Sequence, residues 1–211
     1  MSIKLVRIAK RRRNKEPEPG IYGYITFKVI DHGKVVMRSR RQMHSLTALW
    51  ILEMWLGYNG TAPSFVAYSP NSFVIISPAT FSWFSQGFWI VASSPYVGIV
   101  VGTGQNPKAP NTFTLASPVT SSSTGLTYGA LSMPSPTVSG NTSTLSMSRT
   151  FVNNGSSPIT LTEAAIVAYV SNGDSWTVNY DMALAYDYIS PSITLQPEQT
   201  LTVTYQIQVT T

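Results

Sequence analysis

The last ten strand-forming residues, TLTVTYQIQV, alternate apolar and polar side chains without a break. Leu201, Val203, Tyr205, Ile207 and Val209 fall on one face; Thr200, Thr202, Thr204, Gln206 and Gln208 fall on the other. That period of two predicts a strand with one buried and one polar side. GIYGYITFKVI, from residue 20, predicts another strand. The Asp31-His32-Gly33 turn then leads into VVM, giving a β-hairpin. Beyond residue 62 the same grammar continues through FVAY, FVIIS, GFWIVAS, YVGIVVG, LTYGALSM, STLSMSRTFV, ITLTEAAIVAYV and MALAYDYI. These runs are separated by turn-forming PNS, SSP, GQNPKAPN, NNGSS and SNGD. Short strands so punctuated predict a β-sandwich or barrel, and no fixed-period repeat is present.

Two segments break the pattern. In residues 45–57, Ser45 can cap a helix and Gly57 can end it. Leu46, Leu49, Trp50, Ile51, Leu52, Met54, Trp55 and Leu56 cover nearly every face between them. A helix apolar all round is buried on several sides, here between subunits or between a sheet and a neighbour. Residues 1–19 read as an arm: IKLVRIA alternates apolar and basic positions and can add to a sheet edge, and Pro17 and Pro19 make an extended spacer. The expected fold is mainly β: an antiparallel, jelly-roll-like β-sandwich over residues 20–211, with one short apolar helix near 45–57 and a basic N-terminal arm over 1–19.

The apolar run 46–56 is shorter than the ~20 residues of a membrane-spanning helix and contains Glu53. The run over 84–101 is interrupted by Ser93, Ser94 and Pro95. No transmembrane helix is expected, and no apolar signal-peptide segment follows the basic start. A short Trp-bearing helix beside a basic cluster can also lie on a membrane surface, but burial or subunit contact explains the same residues. The 211 residues suffice for one domain and an arm. Without cysteine there are no disulfides and no thiolate metal sites, which leaves the compartment open.

Charge sharpens the division. Residues 1–41 hold twelve Lys/Arg against three acids, a net +9; residues 42–211 hold two against six, a net −4. Between Glu53 and Arg149 the only charged side chain is Lys108. A free monomer usually keeps a mixed charged surface, so a long uncharged stretch points to assembly.

No catalytic constellation emerges. The two histidines, His32 and His44, lie in the basic segment without a cluster of carboxylates, too little for a triad or a metal site. VGTGQ, at 101–105, lacks the glycines and the Gly-Lys-Ser/Thr of nucleotide-binding loops and reads as a tight turn. Asp181 and Asp187, six residues apart, would share a strand face at ~20 Å, too far for paired carboxylate catalysis. Glu163, Asp187 and Arg149 read as structural ion pairs. No enzyme, cofactor, metal or small-molecule substrate is expected.

The basic residues form two clusters: Lys10, Arg11, Arg12, Arg13 and Lys15 in the arm, then Lys34, Arg38, Arg40 and Arg41. Such clusters neutralise phosphates without reading sequence; they can equally clamp an acidic groove of a neighbouring subunit, or stay solvated. Phe81, Trp83, Phe84, Phe88 and Trp89 can stack on sugars at a host surface, or pack in a core.

VVGTGQNPKAPNTFTLASPV resembles a segment of small structural proteins of tailed phages and archaeal double-stranded DNA viruses. The likeness rests on Gly102, Thr103, Gly104, Pro107, Phe113, Leu115, Pro118 and Val119. SRTFVNNGSSPITLTEAAIVAY and AYDYISPSITLQPEQTLTVTYQIQV resemble that family's later strands, and GKVVMRSRRQMHSLTALWILEMWL its hairpin and apolar helix. The likeness spans roughly residues 28–211, apart from the aromatic insertion at about 60–95. It implies a tail, collar, adaptor or decoration protein with no catalytic site.

Together these give the expectation of a structural virion protein, assembled in the host cytoplasm into a ring, tail, adaptor or portal-proximal part. Its partners would be copies of itself, other virion proteins and possible packaged double-stranded DNA. The arm and the helix residues Leu49, Trp50, Leu52, Trp55 and Leu56 would make the subunit contacts. The alternatives are a DNA-binding capsid protein working through the Arg-rich arm, and a host-surface or glycan-binding module.

Overall fold

The computed structural model describes residues 19–43, 65–69, 72–76, 97–106, 114–119, 125–171 and 179–211. These form eleven strands and, among the described residues, no helix: β1 (Gly20–Asp31), β2 (Lys34–Gln42), β3 (Phe65–Ser69), β4 (Ser72–Ile76), β5 (Gly98–Gly102), β6 (Leu126–Tyr128), β7 (Thr137–Ser139), β8 (Thr142–Asn153), β9 (Ile159–Ser171), β10 (Asn179–Leu195) and β11 (Thr200–Thr210). The mainly β, antiparallel expectation holds. The helix near 45–57 and the arm up to residue 18 lie outside the described residues.

The strands form two antiparallel sheets. Sheet A runs β2-β1-β11-β8-β6, with β7 also paired to β8; sheet B runs β4-β3-β10-β9-β5. One core joins them. Sheet A contributes Ile25, Phe27 and Val29 of β1, Phe151 of β8 and Leu201, Val203 and Tyr205 of β11. Sheet B contributes Ile99 and Val101 of β5, Leu161 and Ile166 of β9 and Leu184 and Ile189 of β10.

The two sheets differ in how they are covered, and the sequence patterns differ accordingly. β11 alternates buried and half-buried residues from Thr200 to Gln208, because sheet A has one side on the core and one open; at the strand's end the expected order inverts, with Val209 exposed and Thr210 buried. In β9, residues 163–168 are all buried. The second side of sheet B carries its own apolar cluster of Val97, Val100, Ala165, Val167, Ala183 and Tyr186, with Leu115 and Tyr188 packed against it. Covering on both sides is why ITLTEAAIVAYV reads as a nearly continuous apolar run.

The β1–β2 hairpin closes through a turn with His32 at φ 44° and Gly33 at φ 77°. Two successive left-handed residues match the twist of the flanking strands. A Cβ on Gly33 would meet no neighbouring atom, so Gly33→Ala isolates the backbone cost. We expect a loss of about 1 kcal/mol and a Tm lower by about 2–4 °C. An unchanged Tm in a thermal melt would contradict this turn geometry.

In β10 the ladder to β9 shifts register between Ala183 and Ala185 and again between Tyr188 and Ile193. Asp181 therefore pairs with Tyr169 and Asp187 with Ala164, six residues on one strand against five on the other. This bulge removes the even spacing behind the expectation that the two aspartates share a face.

Candidate functional site

The open side of sheet A is a lattice of small polar side chains. The register places Thr26, Thr204 and Ser148 in one cross-strand row, Lys28, Thr202 and Thr150 in the next, and Tyr24, Gln206 and Ser146 on the other side. Hydrogen bonds tie neighbours together: Gln206 Nε2 donates to Ser146 Oγ at 3.3 Å, and Gln208 Nε2 to Thr144 Oγ1 at 3.2 Å. The polar half of TLTVTYQIQV supplies the middle of this lattice.

The second basic cluster lies at the β1–β2 margin of that face, and β2 divides it. Arg38 stands opposite Lys28 and Arg40 opposite Thr26; both arginines are exposed. The Arg40 guanidinium lies over the Tyr24 ring, 4.3 Å from its centroid. Arg41, one residue on, belongs to the other side of the strand: its guanidinium approaches the Phe27 ring at 5.6 Å, and its Nε donates to Ser39 Oγ at 3.2 Å. Alternation on a strand thus separates Arg41 from Arg38 and Arg40. Lys34 sits at the hairpin end of β2. There the Asp31 carboxyl is held below its ordinary pKa, mainly by the hydrogen bond with His32 Nδ1 at 2.5 Å and also by Gln199.

Three charged residues expected to form ion pairs are all buried: Arg149, Glu163 and Asp187 are 1%, 0% and 0% exposed. Arg149 serves main-chain oxygens. It donates from Nε to Gly129 O at 2.8 Å, and from one terminal nitrogen to Val97 O at 2.8 Å and Ile99 O at 3.2 Å. Its guanidinium lies 4.9 Å from the Tyr128 ring centroid. Burial lowers the arginine's pKa, and nearby Tyr128 opposes that shift. Tyr128 itself packs edge-on against Phe151 and donates its hydroxyl to Val119 O at 2.5 Å. Burial raises that phenol's pKa well above the ordinary value.

Glu163 organises the other side of sheet B. Its carboxylate accepts hydrogen bonds from the backbone amides of Ser117 at 2.8 Å and Ala116 at 3.0 Å, and from the Tyr186 hydroxyl at 2.8 Å. Its partners are amides and a phenol rather than a cation. Tyr186 in turn accepts from the Asn106 amide at 2.7 Å, and Tyr188 donates to the Asn106 carbonyl. Burial is the main cause raising the Tyr186 pKa; the bond to Glu163 adds to it. In the inter-sheet core, Tyr205 lies against Asp187, and burial with that carboxylate pushes its pKa far up.

The VGTGQ turn belongs to this packing. A Cβ on Gly102 would fall 2.4 Å from Glu163 Oε1 and 2.6 Å from Ser117 O; one on Gly104 would fall 2.6 Å from Ala116 Cβ. The glycines let residues 101–104 run close against 115–119, held by Thr103 N to Ser117 O and Val119 N to Val101 O, both at 2.9 Å. They serve chain packing, as the tight-turn reading anticipates.

Among the described residues no three His, Cys, Asp or Glu gather as a metal site, and no helix is long and apolar enough to cross a membrane. Of the expected contact residues, only Arg38, Arg40 and Arg41 fall within the described chain. Lys10, Arg11, Arg12, Arg13 and Lys15 lie outside it, as do Leu49, Trp50, Leu52, Trp55 and Leu56, and Phe81, Trp83, Phe84, Phe88 and Trp89. Sequence reasoning passed over Tyr128, Tyr186 and Asn153 as structural hubs. Asn153, in the NNG turn, donates to Ser157 O and Leu195 O, both at 2.9 Å, and so ties the end of β8 to the end of β10. Comparison with known proteins returns no match: no family model, no curated protein and no solved structure matches the chain.

Proposed function

We propose that this chain is a structural protein of a virus particle, working by assembly into a ring, tail, adaptor or portal-proximal part. In finer detail we read its fold as a jelly-roll-like β-sandwich, since the β8–β9 and β10–β11 connections each pass from one sheet to the other. The observation that carries the assembly reading is an exposed apolar row. Ile21, Val209, Ser143 and Val138 are successive cross-strand neighbours on β1, β11, β8 and β7. They continue the side of sheet A that farther along carries Ile25, Phe27 and Val29 of the core. Yet Ile21, Val209 and Val138 are 54%, 42% and 76% exposed.

An apolar row that extends a core side into solvent suits a second subunit better than water. The near-absence of charge from residue 54 to 148 favours the same reading. So does the resemblance of the Gly-Thr-Gly, Asn-Asn-Gly and closing-strand segments to virion proteins of phages and archaeal viruses. The arm and the segment 45–57 would add subunit contacts, making folding and association mutually dependent.

Deletion of residues 1–19, and separately the double substitution Ile21→Asp with Val138→Asp, tests this. Either change should shift the light-scattering mass from an oligomer toward a single chain while the far-ultraviolet dichroism keeps its β signature. If both variants keep the wild-type mass, neither the arm nor the row holds the assembly.

A further inference from the structure

Lys28 and Arg38 are directly opposed across the β1–β2 ladder, and Arg40 stands one same-face step along, about 6.8 Å away. Like charges placed opposite one another repel. Among the described residues no carboxylate pairs with them: the ion pairs at this end are those of His32 with Asp31 and Glu198, and Arg40 has only the Tyr24 ring. The strip is bordered by Thr26, Thr202, Thr204 and Ser148, whose hydroxyls can donate to anionic oxygens. Edge strands often carry Lys and Arg to discourage edge pairing. That role explains charge on β2; it does not explain Lys28, which sits on the inner neighbour β1 and doubles the repulsion.

The geometry points to a nucleic-acid backbone site on the open side of sheet A, in which Lys28, Arg38 and Arg40 contact successive phosphates and the Thr/Ser lattice supplies neutral donors. It goes beyond the assembly reading and does not rest on it. Phosphate contacts of this kind position a protein without reading bases. The preferred form is duplex. Sequence-tolerant binding of single strands uses aromatic faces for base stacking; the tyrosine beside these cations, Tyr24, has its face taken by Arg40, and Tyr22 lies a further same-face step away from Lys28 and Arg38. The site is distinct from the arm: its cations are held in strand register.

The test is fluorescence anisotropy of the full chain with an arbitrary-sequence DNA duplex over a salt series. The comparison is with K28Q/R38Q/R40Q and with a deletion of residues 1–19. Wild type should bind with an affinity falling steeply with salt. The triple variant should bind at least tenfold more weakly at 0.1 M salt. Its log–log salt slope should be shallower by about 0.9 per lost contact, up to about 2.7 for three. Its Tm should stay within a few degrees of wild type, since relief of the like-charge opposition offsets loss of the Arg40–Tyr24 contact; that separates lost phosphate contacts from misfolding. The proposal is overturned if wild type shows no salt-dependent duplex binding, or if the slope survives the triple change and disappears only with the arm. Tighter binding of single strands than duplex, or of polyglutamate as well as DNA, overturns it too. The oligomer mass, read separately, decides the assembly reading whichever way this result falls.

Discussion

Replacing Arg149 with methionine is expected to remove about 3–5 kcal/mol of stability, read as a lower urea midpoint with an unchanged slope. Methionine matches the volume and suits the apolar surroundings, so packing loss is small. The carbonyls of Gly129, Val97 and Ile99 lose the donors that now reach them from one planar group. Each buried carbonyl left without a donor costs about 1–3 kcal/mol. Lysine should rescue little, because a single ammonium on a flexible stem lacks the rigid fork of donors. A domain with a total stability of about 5–15 kcal/mol cannot absorb this lightly. A loss under about 1 kcal/mol would mean that the start of β5 and the 129 loop do not depend on the arginine.

Glu163→Gln should cost about 1–3 kcal/mol, and its signature is local. Both carboxylate oxygens accept from backbone amides, Oε1 from Ser117 and Oε2 from Ala116. A glutamine in either orientation turns its NH2 toward one of these N–H groups, so one amide loses its acceptor. Hydrogen exchange at Ala116 and Ser117 should quicken by roughly tenfold or more, while amides of the β1–β11 ladder change less. Equal loss of protection everywhere would show that Glu163 supports the whole fold rather than the 114–119 segment.

Legibility in the sequence followed the range of the interactions. β11 was readable almost residue by residue, because its alternation reports a sheet with one open side. The Asp31-His32-Gly33 turn was readable because its left-handed backbone is a local demand. β6 was legible only in part: LTYGALSM suggests a strand through residue 133, but the regular ladder to β8 ends at Tyr128 and pairing resumes as a single bridge between Ser132 and Ser148. Just past Tyr128, Gly129 meets Thr150 so closely that a Cβ would lie 2.2 Å from Thr150 Oγ1. β10 was underestimated in length, since its bulges carry Ser190 and Pro191 within the strand instead of ending it.

The buried charges are legible in the sequence, but the main-chain partners of Glu163 and Arg149 are not, for one reason. Glu163 bonds to amides 46 and 47 residues away, and Arg149 to carbonyls 50 and 52 away. Sequence shows the charge and hides such partners, so an ion pair is the natural guess. The basic cluster of residues 34–41 was legible as charge alone; its split into an outward pair and an inward Arg41 needed the register of β1 against β2. The exposed row of Ile21, Val209 and Val138 joins three distant strands, and no local pattern announces it.

The central claim is assembly, and the native mass of the purified chain tests it most directly. Size-exclusion chromatography with multi-angle light scattering, before and after nuclease treatment, should give a fixed multiple of the single-chain mass, the same in both runs. A single-chain mass at every concentration, or a multiple that collapses once nucleic acid is digested, would contradict it.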